Sequence, residues 1–237
     1  MSPDRDLKSR IGLLARQMYE SRHPVYFTGA GISTESGISD YRGPEGLWTR
    51  QEKGLPPDPK ALPLHQAQPN PGHLLLKELQ DLGKLRFLIS QNVDNLHLRS
   101  GIRPELLAEL HGNVTLLRCK SCGRKIGKNL GLTKCQCGGR FTDSVVNFGS
   151  PLPQKELETA FEQARKADLF VVLGSSLTVR PAADLPQEAA RTQSFLVIVN
   201  QQPTPLDSMA GLRFFEPIGE ILPRAVLQAK NLMGRFE

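Results

Sequence analysis

Four cysteines fall in two tight pairs, Cys119-x-x-Cys122 and Cys135-x-Cys137, with twelve residues between the pairs. Paired thiolates on two tight turns can close a tetrahedral zinc site, and Gly123, Gly138 and Gly139 give those turns their freedom. With four protein ligands such a zinc is structural, not catalytic. A redox dithiol is the alternative, and a second pair within reach argues against it. Just upstream, His111 lies in Glu109-Leu110-His111-Gly112. Imidazole titrates near neutrality and could act as a general base; on the residues alone His65, His73 and His97 are alternatives, while His23 marks a helix end. Gln91, Asn92 and Asp94 set two amides and a carboxylate directly after an apolar run; a capped turn or a ligand pocket would use them equally. Gly29-Ala30-Gly31, followed by Ser33 and Thr34, is a Gly-x-Gly turn in which Thr34 stands where a dinucleotide fingerprint has its third glycine. Read as strand, glycine turn and helix start, it could offer backbone amides to a diphosphate. Asp40-Tyr41-Arg42-Gly43 places two charges around an aromatic ring, an arrangement costly to bury without a task.

The elements that must hold these groups follow from periodicity. Residues 6–20 carry apolar side chains at helical spacing, as do 72–82, 156–166, 181–191 and the stretch from 221 to 233. Short apolar runs at 25–27, 85–89, 169–173 and 195–199 read as buried strands, and 106–110 as a short helical piece. Each strand ends in small or polar residues: the glycine turn, Gln91–Asp94, Gly174-Ser175-Ser176, and Asn200 with Gln201. Strands alternating with helices predict an α/β fold, a Rossmann-like doubly wound parallel sheet that binds ligands beyond its carboxyl ends. Residues 1–112 and 145–237 would form that body and 113–144 an inserted zinc-binding module. The proline-rich stretch 43–72 reads as a loop or short helical module, with Trp48 anchoring it.

The 237 residues suffice for one large domain. No run reaches the length of a membrane span, and residues 1–6 lack an apolar signal core, so a cytoplasmic protein is expected, or a nuclear one in a eukaryote. A net charge of +6 is modest; Arg118, Lys120, Arg124, Lys125 and Lys128 are the densest basic stretch. No linear arm or stripe stands out, so direct nucleic-acid binding is not indicated, and a monomer is expected.

Gly29-Ala30-Gly31-Ile32-Ser33, Gly37-Ile38 and Asp40-Tyr41-Arg42-Gly43, with Gln91-Asn92-Val93-Asp94, Leu110-His111-Gly112 and the cysteine pairs, resemble the sirtuins, the NAD-dependent protein deacylases. The runs Gly43-Pro44-x-Gly46-x-Trp48 and residues 107–112 look most like the class IV branch. Three features depart from the usual pattern: one residue, not two, between Cys135 and Cys137, Ser150 where many sirtuins carry Glu, and a short 48–72 segment. The resemblance implies NAD and structural zinc as cofactors and acyl-lysine peptides as partners. It implies that His111 is the general base, that Asn92 and Asp94 hold the nicotinamide, and that Arg42 and the Gly29–Gly31 amides hold the diphosphate. Ala30, Ser33, Asp40, Tyr41, Trp48, Gln91, Gly174, Ser175, Ser176, Asn200 and Gln201 would complete the cofactor site. Val146, Asn147, Phe148 and Gly149 would receive the peptide as an added strand. A mono-ADP-ribosyltransferase or a non-catalytic NAD sensor on the same scaffold are the competing readings. No Tyr-x-x-Arg pair, the family's device for succinyl-type groups, occurs in residues 50–75, so neutral acyl groups are expected.

Overall fold

The chain alternates strands and helices along its length. The computed structural model of this protein describes residues 3–147 and 149–234; Phe148, expected on the peptide path, lies outside them. In order come α1 (Pro3–Glu20), β1 (Pro24–Thr28), α2 (Leu47–Glu52), α3 (Pro71–Asp81), β2 (Phe87–Ser90), α4 (Leu96–Arg99) and β3 (Leu107–Glu109). There follow β4 (Leu116–Cys119), β5 (Lys125–Gly127), β6 (Phe141–Asp143), α5 (Gln154–Lys166), β7 (Leu169–Leu173), α6 (Asp184–Arg191), β8 (Phe195–Val199), β9 (Leu212–Phe214) and α7 (Ile218–Met233).

Six strands form one parallel sheet in the order β3-β2-β1-β7-β8-β9. The chain starts at the centre, winds outward to β3, then returns to the other side of β1, so the switch point lies between β1 and β7. Alternate strand residues face opposite layers. Tyr26, Leu88, Val171 and Val197 pack with α1, α3 and α7, whereas Phe27, Ile89, Phe170 and Ile198 pack with α5 and α6. Burial on both faces explains why β7 and β8 read as unbroken apolar runs. The excursion between β3 and α5 carries a separate three-stranded antiparallel sheet, β5-β4-β6.

Three local expectations are corrected. No α-helix opens at Ser33; two single 3-10 turns, Ala30–Ile32 and Thr34–Ser36, take its place. Gly31 N–H is drawn to the Gly174 carbonyl at 2.8 Å and Gly37 turns left-handed at φ +83°, which ends any regular helix. Residues 107–109 are a strand, not helix: Leu88 pairs with Leu107 and Leu110 N–H extends the ladder to Ser90, so pairing with β2 overrides local propensity. The edge strand β9 was not anticipated; its three residues carry too little periodicity to stand out.

Candidate active site

Backbone bonds continue past the strand ends: Gly29 N–H reaches Leu173, Gly174 N–H reaches Val199, Gln91 N–H reaches Thr28, and Asn200 N–H reaches Phe214. This stitched carboxyl edge is the floor of a cavity of about 910 Å³, at the large end of the roughly 300–1,000 Å³ range of small-molecule sites. The two glycine turns interlock there. A Cβ on Gly29 would lie 2.7 Å from the Gly174 carbonyl oxygen, and one on Gly174 would lie 2.5 Å from Ile32 N. The amides of Gly29 and Gly31 are therefore engaged within the protein instead of free for a diphosphate, which corrects that part of the expectation. Gly174 also sits at φ +67°. Gly174→Ala is expected to destabilise the fold by more than about 1 kcal/mol and to lower activity with it; an unchanged urea midpoint would contradict the interlock.

Beyond β2 the polar groups form one network. Ser33 Oγ donates to Asp94 Oδ2 at 2.7 Å, and Asn92 Nδ2 donates to Ser33 Oγ at 3.1 Å. Leu96 N–H holds the other carboxylate oxygen at 2.9 Å, and Asn92 N–H is anchored on Ser90 Oγ at 3.1 Å. Across the switch point Ser175 Oγ donates to Gln91 Oε1 at 2.6 Å. His111 follows β3, and its Nδ1 lies 2.8 Å from the main-chain carbonyl of Gln91. A carbonyl only accepts, so Nδ1 carries the proton and Nε2 keeps its lone pair. Burial lowers the His111 pKa, and the Gln91 carbonyl opposes that shift in part. The neutral form, with a basic Nε2, is thus favoured.

His111 is the sole histidine among the described residues lining the cavity. His73 and His97 are buried away from it, rings 5.0 Å apart, with His97 Nε2 on Thr28 Oγ1 at 2.9 Å; His23 bonds to Gln163 and His65 is exposed. Over the cavity, Tyr41 and Trp48 pack with ring centroids 5.1 Å apart and Arg42 lies 4.5 Å over Trp48. Asp40 ties the loop through Gly43 N–H at 2.9 Å, and burial raises its pKa against that hydrogen bond. Ala30, Ser176 and Asn200 line the floor, as do Val146, Asn147 and Gly149 on the far wall. Val146 N–H donates to the His111 carbonyl at 2.9 Å, so that wall is registered on the histidine. Gln201 is exposed and does not line the cavity; Gln202 does. Sequence reasoning also missed Leu62, Leu152, Leu157 and Val179, apolar wall residues without motif character.

The cysteines converge apart from the cavity, all four sulfurs within 4.8 Å of one another. Cys119 and Cys137 sulfurs are 3.6 Å apart, and those of Cys122 and Cys135 are 3.7 Å apart. Zinc–sulfur bonds of about 2.3 Å put tetrahedral sulfurs about 3.8 Å apart, so the set fits zinc and the shortened second pair does not prevent closure. The Cys122 backbone N–H pulls the Cys119 thiol down to about 6. Cys137, despite the Gly139 N–H, is pushed up to about 12 by hydrogen bonds with the other sulfurs. Bringing all four to thiolates calls for a cation.

The sequence pattern of the Sir2 family matches residues 29–63 and 58–181. The chain belongs to the Sir2 family. It is 43% identical over 242 residues to the NAD-dependent protein deacetylase SRT1 of Arabidopsis thaliana, covering 97% of this chain and 51% of that protein. It is 37% identical to NAD-dependent protein deacylase 2 of Archaeoglobus fulgidus, covering 95% and 98% respectively. The chain therefore spans about half the length of the plant relatives and nearly all of this archaeal Sir2 protein. Among solved structures it superposes with a TM-score of 0.71 on a complex of Sir2 with a p53 peptide and NAD+, at 35% identity, covering 98% of this chain and all of that one.

Proposed function

We propose that this Sir2-family chain is an NAD-dependent protein lysine deacylase. The observation that carries the reading is His111: its Nδ1–H is fixed on the Gln91 carbonyl, leaving Nε2 as a base in a cavity that the glycine turns, Asn92 and Asp94 share with the wall of Val146, Asn147 and Gly149. The cavity's volume and the polar groups ringing its floor fit a dinucleotide. NAD, when bound, supplies nicotinamide as the leaving group and the ribose that accepts the acyl oxygen. Asn92, restrained by Ser33 and Ser90, and Asp94, restrained by Ser33 and Leu96, would hold the carboxamide in a fixed orientation. The Ala30 N–H, Ser176 and Asn200, which line the cavity, would hold the diphosphate and ribose in place of the engaged Gly29 and Gly31 amides. His111 Nε2 would accept a proton from a ribose hydroxyl. Closure of the Tyr41–Trp48 loop with Arg42 would keep water out.

The names of the Arabidopsis and Archaeoglobus relatives, an NAD-dependent protein deacetylase and deacylase, favour deacylation over ADP-ribosyl transfer to protein. The 43–48 and 107–112 runs support placement near class IV. A reducing, cytoplasmic setting is supported by thiols gathered as a metal site.

The acyl group should be neutral. Pro57, Ala61, Leu62, Pro63 and Leu64 line the cavity with no charge. Its arginines are engaged, Arg42 over Trp48 and Arg180 with Asp184 at 3.3 Å. An unpaired succinyl carboxylate buried there is disfavoured, so acetyl- or myristoyl-lysine peptides should react at least about tenfold faster in kcat/KM, about 1.4 kcal/mol. Nicotinamide release and peptide mass, followed with NAD and these peptides, test both claims. A succinyl preference would overturn the acyl assignment; release with ADP-ribosylated protein and intact acyl-lysine would overturn the deacylase.

A further inference from the structure

Residues 113–144 contain seven Lys or Arg and a single acidic residue, Asp143, a net +6 that equals the charge of the whole chain. The remaining residues are balanced. Five of these cations form the densest basic stretch of the sequence, 118–128, and the small sheet adds Lys134 and Arg140 to it.

Three of the seven are accounted for by ion pairs. Arg118 and Lys125 turn toward Glu156 of α5, at 3.9 and 3.2 Å, with Lys125 also 3.7 Å from Glu109, and Lys128 meets Asp143 at 2.6 Å. Lys120, Arg124, Lys134 and Arg140 are exposed, and no ion pair holds any of them among the described residues. They stand together. Lys120 N–H bonds to the Arg140 carbonyl at 2.9 Å, and Arg140 is bridged in antiparallel register to Lys134. Arg124 reaches the Cys135–Cys137 turn, donating to Gln136 Oε1 at 2.7 Å. Like charges facing each other across strands destabilise a sheet, so the row is a cost to the fold that an anionic ligand would offset. The thiolates are not that ligand, because backbone N–H groups of Ser121, Cys122 and Gly139 already serve the sulfurs. The cysteine turns among these cations expose Ser121, Gly123, Gln136 and Gly138 and no aromatic or aliphatic anchor; the module's exposed leucines, Leu130 and Leu132, lie in the 128–132 segment before Lys134. Protein partners concentrate their binding on such anchors, whereas a phosphodiester backbone needs only cations and polar donors.

From this row we infer that the zinc-module tip binds the phosphate backbone of nucleic acid without reading sequence. None of residues 113–144 lines the cavity, so nucleic acid and an acylated peptide can be bound together. The surface goes beyond the deacylase reading and does not depend on it.

The test is fluorescence anisotropy with a short labelled DNA duplex of arbitrary sequence and the full zinc-loaded chain. Four phosphate contacts give a slope of log K against log salt of about −3.6, so affinity falls about a hundredfold between about 50 and 200 mM salt. Lys134→Glu and Arg140→Glu should each weaken binding several-fold and flatten the slope by about 1, while Lys8→Glu, exposed on α1 and equal in charge, leaves both unchanged. Zinc content is measured beside each variant. If charge reversal costs the zinc, Lys134→Gln and Arg140→Gln carry the test, and an unflattened slope in those zinc-loaded variants defeats the assignment. So does an absence of duplex binding at low salt, an equal loss in Lys8→Glu, or binding of polyglutamate in place of the duplex.

Discussion

His111→Ala is expected to lower kcat for acyl removal by about 10²- to 10⁴-fold, the range of a lost general base, with NAD binding little changed. The reason is local. The Gln91 carbonyl fixes the tautomer, so the ring presents one basic nitrogen to the cavity. In the proposed mechanism the base acts after nicotinamide has left, so exchange of labelled nicotinamide into NAD should fall less than deacylation does. The pH profile gives an independent readout. Burial lowers the folded pKa of His111, so the neutral base persists below the ordinary value near 6.5. Wild-type kcat/KM should be level at neutral pH, should fall as pH drops through that lowered pKa, and should lose this limb in His111→Ala. A limb centred above 6.5 would mean that the ring is stabilised as a cation and that its role as base is wrong. Equal losses of exchange and deacylation would place His111 at the first step instead.

The sequence contains this histidine's identity as a candidate but not its selection. Residues alone left His73 and His97 as rivals; the fold buries both beneath the sheet edge, where desolvation takes His73 down to about 4 and His97 well below its ordinary value. Burial of that kind depends on how α3 and α4 pack, which no local pattern encodes. The parallel sheet was readable because β7 and β8, and β1 up to Phe27, are buried on both faces and are apolar throughout. The glycine turn was readable as a turn yet misread as a helix start with open amides, because the acceptors that claim Gly29 and Gly31 lie some 145 residues away, at Leu173 and Gly174. For the same reason β3 passed as helix: its strand character comes from β2. The densest basic stretch, 118–128, was readable, but the row was not, because strand pairing and not sequence adjacency brings Lys134 and Arg140 to Lys120.

Cys135→Ser, or removal of zinc by a chelator, should unfold the small sheet while the six-stranded body persists. The sheet's buried apolar cluster holds only Cys119, Cys135 and Phe141, with Leu117 and Ile126 partly covered. A segment this small cannot stabilise itself by burial alone, and structural zinc contributes about 10–16 kcal/mol in comparable finger peptides. Tryptic digestion reads the outcome directly, since seven Lys and Arg residues lie within 113–144. Wild-type protein should resist cleavage there; the zinc-free or Cys135→Ser protein should be cut in that segment first. The damage should then reach the cavity. Asn113 bridges Glu109 and Asn95 at 2.5 and 2.9 Å, and its N–H is held by Ser144 Oγ at 2.9 Å. Lys125 faces the same buried Glu109, whose pKa burial raises. Glu109 lies two residues before His111 and Asn95 directly after Asp94, so loosening the module frees the flanks of both proposed catalytic groups. Activity should therefore fall by at least about tenfold, with a rise in KM for peptide as the Val146 wall loses its register. Full tryptic resistance and unchanged KM in a zinc-free protein would show that the sheet stands without its metal and that the bridge through Asn113 carries no load.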